Sequence, residues 1–186
     1  MDRHADGDDQ AFRSVYDLLA PKLLGFFLRQ TRDRARAEDL VQQTLLQMHA
    51  ARHTFVRGSD VVPWAFAIGR RLGIDAHRRT RKETLFATAE GEADARDGRV
   101  SRDSGPEDFA VATQTAARVS VELARLPEPQ RTAYQLIRED GLSVAQAAEV
   151  LGVTETAVKL RAHRVYEALR SVLAADERAG AKGSRA

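Results

Sequence analysis

The spacing of apolar positions along this chain predicts an all-α protein. Apolar residues recur at three- and four-residue intervals, the period of an amphipathic helix, and the alternation typical of strands is scarce. The periodic segments are residues 8–30, 35–54, 61–82, 113–125, 128–139, 143–151 and 154–174. Residues 83–113, between the third and fourth of these segments, lose the helical period. We therefore predict two small helical domains.

Composition and charge indicate what joins the two domains. Residues 83–113 are rich in Gly, Asp, Ala, Ser and Arg and contain Gly105-Pro106 near their end, which is typical of a flexible linker. The net charge of +2 conceals an acidic linker between two more basic parts. The predicted organisation is a domain at 1–82, a flexible acidic linker at 83–113, a domain at 114–175 and a disordered tail at 176–186.

Several functional classes are excluded by what the sequence lacks. No apolar stretch is long enough to span a membrane and the N-terminus is too polar for a secretory signal, so we expect a cytoplasmic protein without membrane insertion. The chain has no cysteine. His49 and His53 have a spacing that could share a metal, but no third ligand lies nearby, and we predict no metal and no cofactor. The sequence contains no phosphate loop, nucleophile elbow or paired carboxylates. We therefore predict neither an enzyme nor a small-molecule substrate.

Residues Gly141 to Arg170 have the pattern of a helix-turn-helix. Ser143 can cap a first helix, and Gly152 can supply a sharp turn after it. Ala148 is small where two helices would approach closely, and Thr154 can cap the second helix. This pattern predicts a domain that binds duplex DNA.

The second of these helices divides into an apolar and a polar face. At 100° per residue, the buried face would contain Val158, Ala162, Val165, Leu169 and Val172. The opposite side, here called the recognition arc, contains Thr156, Lys159, Leu160, His163 and Arg164. Lys159 and Arg164 suit phosphates or guanine edges, and Leu160 suits a thymine methyl group. The alternative is an ordinary solvated helix face.

Residues 61–82 are predicted to form a second amphipathic helix, here called α4, with a cationic side. Its apolar face would contain Trp64, Ala65, Ile68, Leu72 and Ala76. The other side, here called the α4 basic face, contains Arg70, His77, Arg78 and Arg81, with Arg71 at its boundary. Phe66 falls among these cations, and cations with an interleaved ring are typical of surfaces that hold an opened nucleic-acid strand. The alternative places both aromatic residues in the core, and for Trp64 we favour the core.

A third predicted helix, within residues 37–55 and here called α3, would bury Leu40, Val41, Thr44, Leu45, Met48 and Phe55. Its other side, here called the α3 arc, contains Asp39, Gln42, Gln43, Leu46 and His49, with His53 beyond it. A polar arc with one exposed leucine is typical of a protein-binding helix. A solvated face is the alternative.

These segments, in this order, resemble the extracytoplasmic-function (ECF) group of bacterial RNA polymerase sigma factors over nearly the whole chain. The opening GDDQAFRSVYDLLAPKLLGFFLR is similar to the group's first conserved helix, and AEDLVQQTLLQMH is similar to its polymerase-binding helix. VPWAFAIGRRLGIDAHRR resembles its promoter-opening helix. LARLPEPQRTAYQL and GLSVAQAAEVLGVTETAVKLRAHR together resemble its DNA-reading C-terminal domain.

The resemblance implies a specificity subunit of core RNA polymerase. The α3 arc would bind polymerase, and a loop at 56–62, including Arg57 and Ser59, would capture a flipped base of the downstream promoter element. The α4 basic face would hold the opened DNA. The upstream element would be read in the major groove by the recognition arc together with Arg131 and Ser143. The group's members are usually held inactive by an anti-sigma factor, often membrane-anchored, so such a partner is expected beside polymerase and promoter DNA.

Three departures and three alternatives accompany this resemblance. Gln43 stands where the group usually has Glu, Arg71 where Asn is common, and Leu160 where a small polar residue is frequent. One alternative is a helix-turn-helix regulator that binds DNA without polymerase. Another is a sigma-like decoy that binds only an anti-sigma factor, and a nucleic-acid enzyme comes last because no acidic metal cluster or nucleophile can be assembled.

Overall fold

A computed structural model describes residues 1–6, 8–89 and 108–183, and within these residues all regular secondary structure is helical. The all-α prediction is confirmed. By its internal contacts the chain divides into an N-terminal unit, Met1–Val100, and a C-terminal unit, Ser101–Ala186. The helices of the N-terminal unit are α1 Asp2–Ala5, α2 Asp9–Thr31, α3 Arg34–Ala50, a short 3-10 helix Arg52–Thr54, and α4 Val61–Ala89. Those of the C-terminal unit are α5 Asp108–Arg125, α6 Glu128–Arg138, α7 Val144–Leu151 and α8 Glu155–Gly183.

Three helices extend beyond their predicted ends. α4 runs to Ala89 and α5 begins at Asp108, so both enter the predicted linker, whose residues 90–107 lie outside the described part of the chain. α8 runs to Gly183, into the predicted tail. All three added segments contain Ala, and those of α4 and α8 also contain Glu, residues whose high helix propensity allows a helix to continue without an apolar period.

The N-terminal unit has a core built by α2, α3 and α4. Its fully buried side chains include Leu19, Leu23, Phe26, Phe27, Met48 and Phe66, and the predicted buried face of α3 is confirmed. α2 and α3 begin with aspartate caps, since the Asp8 carboxylate accepts from the Ala11 N–H and the Asp33 carboxylate from the Arg36 N–H, each at 3.1 Å. The first of these bonds lowers the pKa of Asp8.

A glycine lets α2 and α4 approach closely. A Cβ atom on Gly69 would lie 3.0 Å from Cζ of Phe27 and 3.3 Å from Oγ1 of Thr44. A larger residue at this position would therefore push α4 away from both α2 and α3.

The C-terminal unit is organised around α8, which packs against α5, α6 and α7. The predicted apolar face of α8 is buried at Val158, Ala162, Val165 and Leu169, and Val172 is half-buried. This core fixes which side of α8 is left to solvent.

Candidate nucleic-acid and protein interfaces

The helix-turn-helix forms by the local interactions that its sequence predicts. The Ser143 Oγ accepts from the Gln146 N–H at 3.2 Å, and the Gln146 Oε1 accepts from the Ser143 N–H at 2.7 Å, which completes a capping box. Gly152 ends α7 at φ 64°, a conformation that favours glycine. The Thr154 Oγ1 accepts from the Ala157 N–H at 3.2 Å and caps α8. The helix pair therefore has the predicted caps and turn.

All five side chains of the recognition arc are exposed on α8. Leu160 is 50% exposed, which leaves it able to contact a ligand. Ser143 is also exposed at the start of α7, although its Oγ already accepts a hydrogen bond from the backbone. The structure thus brings these side chains to one end of the helix pair.

Sequence reasoning missed a carboxylate beside the recognition arc. Glu155 is exposed in the first turn of α8, and its Oε2 lies 3.7 Å from the Nζ of Lys159. The i,i+4 Glu–Lys spacing in the sequence is the signal that could have found this pair. The charge of Lys159 is therefore partly balanced within α8.

Arg131 has a structural role that its predicted DNA contact did not include. Its Nη1 lies 3.3 Å from the carbonyl oxygens of Leu123 and Ala124 and 3.1 Å from that of Leu126. The last carbonyls of a helix have no partner within the helix, and α5 ends at Arg125. Arg131 caps this helix end, so its prediction as a DNA contact gains no support from the geometry.

An open groove of about 720 Å³ lies between α6 and α8. Its lining includes Tyr134, His163, Tyr166 and Leu173. The rings of Tyr134 and Tyr166 meet edge to face with centroids 5.4 Å apart, and burial raises the pKa of Tyr134. His163 therefore belongs to the recognition arc and also lines this groove. No local sequence pattern indicates the groove, because two separate helices supply its walls.

The α3 arc lies on one exposed side of the N-terminal unit. All five of its side chains are exposed, and Leu46 is 68% exposed. The Gln43 Nε2 donates to the Asp39 Oδ2 at 2.7 Å, which fixes the two side chains relative to each other. An exposed leucine between ordered polar groups is an arrangement suited to binding another protein.

The structure corrects the prediction for Phe66, the aromatic residue that falls among the cations of the α4 basic face. Phe66 is 0% exposed and its ring centroid lies 5.2 Å from that of Phe26, so it cannot stack on a nucleic-acid base. The prediction was wrong because α4 packs against both α2 and α3, which buries a wider strip of helix than one apolar face. Trp64 is half-buried against Phe55, with centroids 5.1 Å apart.

The cations of the α4 basic face differ in accessibility. Arg71, His77 and Arg78 are exposed, whereas Arg70 is half-buried. The Nε of Arg70 is buried and has no hydrogen-bond partner within the described residues. The side chain of Arg81 lies outside the described residues, although its backbone belongs to α4.

The loop before α4 is exposed but not unoccupied. Gly58 has φ 75°, and Arg57 and Ser59 are exposed on either side of it. Arg57 forms an ion pair with Asp6, and the Gly58 N–H lies 3.3 Å from both carboxylate oxygens of Asp2. Sequence reasoning missed these contacts because α1 has too few residues to show a helical period.

Neither a metal centre nor a membrane segment emerges from the described residues. They contain no group of three His, Cys, Asp or Glu side chains placed to hold an ion. His49 instead has its Nδ1 3.1 Å from the Nε2 of His4. None of the described helices is long and apolar enough to cross a membrane.

Two protein-family models match this chain, one in each unit. The family model described as Sigma-70 region 2 matches residues 15–83, and that described as Sigma-70, region 4 matches residues 117–169. The first covers α3 and the loop after it, and the second covers the helix-turn-helix.

Relatives and solved structures match almost the whole chain. It is 31% identical to the RNA polymerase sigma factor CarQ of Myxococcus xanthus, over 93% of this chain and 95% of CarQ. It is 34% identical to the ECF RNA polymerase sigma factor SigF of Caulobacter vibrioides, over 91% of this chain and 89% of SigF. The structure is similar to that of the sigma factor RpoE of Bartonella quintana, solved with the anti-sigma factor NepR, with a TM-score of 0.71 and 26% identity. The similarity covers 90% of this chain and 99% of the RpoE chain. CnrH, solved with the cytosolic domain of CnrY, has a similar fold, with a TM-score of 0.68, 24% identity and 94% of each chain covered.

Proposed function

Because the chain belongs to the ECF group of RNA polymerase sigma factors, it directs core RNA polymerase to promoters, and we propose how its surfaces divide that work. The recognition arc reads the upstream promoter element, the 56–62 loop and the α4 basic face hold the downstream element, and the α3 arc binds core polymerase. The observation that carries this proposal is the capped helix-turn-helix, whose second helix has a fixed buried side and an exposed cationic side.

The upstream surface is proposed to combine phosphate contacts with base contacts. Lys159 and Arg164 supply charge, while Leu160 supplies an apolar surface that suits the methyl group of thymine. A phosphate contact stabilises binding to every sequence by a similar amount, whereas a base contact distinguishes sequences. Leu160 is therefore the residue from which we expect a change in promoter preference.

The downstream surface is proposed to hold DNA that is already unpaired. Extruding a base costs a few kcal/mol, so donors and cations must be available where the strand emerges. Arg71, His77 and Arg78 are exposed along α4, directly after the loop that contains Arg57 and Ser59. With Phe66 buried, this surface relies on cations and the loop rather than on the ring of Phe66.

The α3 arc is proposed to bind core polymerase. An anti-sigma factor is proposed to compete with core polymerase for binding to this chain. The structural relative RpoE was solved in complex with an anti-sigma factor, which supports this class of partner. The family consists of transcription initiation factors and not of known enzymes, and we propose a cytoplasmic location because core polymerase works there.

Reconstituted transcription tests the proposal. The purified chain is mixed with bacterial core polymerase and assayed for run-off transcription from the promoter of its own operon. Leu46→Asp is expected to abolish core binding, because a charge would enter the centre of the interface. The matched control is Leu18→Asp on α2, since Leu18 is also exposed, at 46%. Equal losses of core binding in Leu46→Asp and Leu18→Asp would contradict the assignment of the α3 arc as the polymerase-binding surface.

The two DNA surfaces are separated by their salt and sequence dependence. Leu160→Ser is expected to change preference at one upstream base and to leave core binding unchanged, and a uniform loss on all promoters would contradict its role. Arg78→Ala is expected to weaken promoter opening on all promoters and to reduce the salt dependence of binding by about one ion. Arg13→Ala removes the same charge from an exposed site on α2 and serves as control.

The same assay separates the competing functions. A chain that binds DNA tightly but does not bind core polymerase would be a helix-turn-helix regulator, which would need dimer symmetry for affinity. A chain that binds an anti-sigma factor but neither polymerase nor DNA would be a decoy. Exposed cations on both proposed DNA surfaces favour the sigma factor over the decoy, because a decoy has no use for them.

A further inference from the structure

The first residues of the chain lie against the loop that is proposed to capture the downstream element. We call α1 together with Asp6 the N-terminal cover. It contacts two regions with assigned roles: Arg57 and Gly58 in the loop, and His49 in the α3 arc. One short segment therefore touches both the proposed DNA-binding loop and the proposed polymerase-binding helix.

His4 anchors the cover to the N-terminal unit. It is 0% exposed, and its ring lies 4.7 Å from that of Phe12 and 5.0 Å from that of His49. Its Nδ1 lies 3.3 Å from the carbonyl oxygen of Asp8, which can only accept, so this nitrogen donates. Its Nε2 lies 3.1 Å from the Nδ1 of His49.

The cover presents carboxylates to the donors of the loop. Asp6 forms an ion pair with Arg57, and the Asp2 carboxylate accepts from the Gly58 N–H at 3.3 Å. A guanidinium and a backbone N–H are also the donors that proteins offer to the phosphates of nucleic acid. Carboxylate and phosphate oxygens therefore compete for the same two groups.

We propose that the N-terminal cover is autoinhibitory: its acidic side chains occupy the loop in place of DNA and must leave before the loop captures the downstream element. This inference rests on the proposed function of the loop. When the cover leaves, His4 no longer contacts His49, so the end of the α3 arc at His49 becomes more accessible. DNA and the cover are thus alternative occupants of one surface.

The opposite role makes the opposite prediction. If the cover preorganised the loop for DNA, removing its charges would weaken DNA binding. If it inhibits, the same change strengthens binding, because a competing anion is lost while the cations remain. The sign of the effect therefore decides between the two roles.

The test uses holoenzyme assembled from core polymerase and Asp6→Asn protein. The probe is a fork-junction DNA selected from a random pool by the wild-type holoenzyme, with a single-stranded downstream arm. Asp6→Asn is expected to bind this probe about two- to fivefold more tightly at low salt, as for loss of an exposed ion pair, with a smaller effect at high salt. Asp17→Asn makes the same charge change at an exposed site on α2 and is expected to leave affinity unchanged.

A second variant and a second measurement examine the cover itself. His4→Ala removes the anchor without removing either carboxylate, and it is expected to strengthen probe binding as well. In the free wild-type protein the Gly58 amide should exchange hydrogen more slowly than in Asp2→Ala, because only the wild-type side chain at position 2 can accept its hydrogen bond. Equal exchange in both proteins would show that the cover is not seated on the loop, and the inference would be wrong.

The two levels of the proposal fail in different ways. A wild-type protein that neither binds core polymerase nor selects a fork would overturn the proposed function. A transcriptionally active holoenzyme in which Asp6→Asn matches Asp17→Asn, or binds more weakly than wild type, would overturn the autoinhibitory cover alone.

Discussion

Replacing Phe66 by alanine is expected to destabilise the N-terminal unit, not to remove a DNA contact. The side chain is fully buried and meets Phe26 in a T-shaped arrangement. Truncating a buried phenylalanine costs about 3–5 kcal/mol, of which the aromatic pair accounts for roughly 0.5–1.5 kcal/mol. Domains of this size are stable by about 5–15 kcal/mol, so the loss is a large fraction of the total.

The assays are thermal denaturation and urea denaturation of the variant, each followed by circular dichroism. A loss of about 3 kcal/mol should lower the melting temperature of such a domain by roughly 10 °C or more, and should lower the urea midpoint in proportion. Leu46→Ala is the matched control, because it also removes apolar atoms but from a side chain that is 68% exposed. Its effect should stay within about 0.5 kcal/mol.

One result would refute this reasoning. If Phe66→Ala kept the wild-type urea midpoint but bound single-stranded DNA more weakly in holoenzyme, the ring would be a base-stacking group after all. A variant with a lowered midpoint whose DNA binding is normal below its unfolding temperature is the expected outcome.

Three further substitutions examine other parts of the two units. Glu155→Gln should release Lys159 and tighten promoter binding by about two- to fivefold at low salt, measured with holoenzyme at two salt concentrations; weaker binding would contradict the assignment. Gly152→Ala meets no atom within 4 Å, so its cost should be the left-handed strain alone, about 1–2 kcal/mol by thermal denaturation. Arg131→Ala should destabilise the C-terminal unit by roughly 1–3 kcal/mol through the uncapped end of α5, and a reduced salt slope for DNA binding would instead restore its predicted contact.

Features fixed by neighbouring residues were predictable from the sequence. The helix-turn-helix depends on a capping box, a glycine at positive φ and a threonine cap, each of which involves residues at most four positions apart. The buried face of α8 follows from the helical period in the same way. For the helices, propensity and period indicate the element, and the ends move where good helix formers continue past the periodic segment.

Features that depend on distant residues were not predictable. Phe66 is buried because α4 has two neighbours, and no period within α4 states how many helices will cover it. α1 is held by contacts with His49 and Arg57, far along the chain. Arg131 bonds carbonyls that are near in sequence but belong to the end of a different helix, so no single helical period includes this contact. Each of these contacts joins residues on different elements. The missed Glu155–Lys159 pair differs, because it lies within α8 and its i,i+4 spacing is visible in the sequence.

The proposed DNA surfaces share one electrostatic property that bears on specificity. In each unit a cation assigned to DNA has a carboxylate partner of its own: Asp6 for Arg57 and Glu155 for Lys159. DNA must displace or repel these carboxylates, which weakens phosphate contacts on every sequence equally. Base contacts, such as that proposed for Leu160, are not weakened in this way because they do not depend on the charge. In the proposed complexes, internal pairing therefore lowers the affinity for every sequence by a similar factor and leaves the ratio of specific to nonspecific affinity to base contacts such as that of Leu160. This ratio governs how a promoter is found among competing sites.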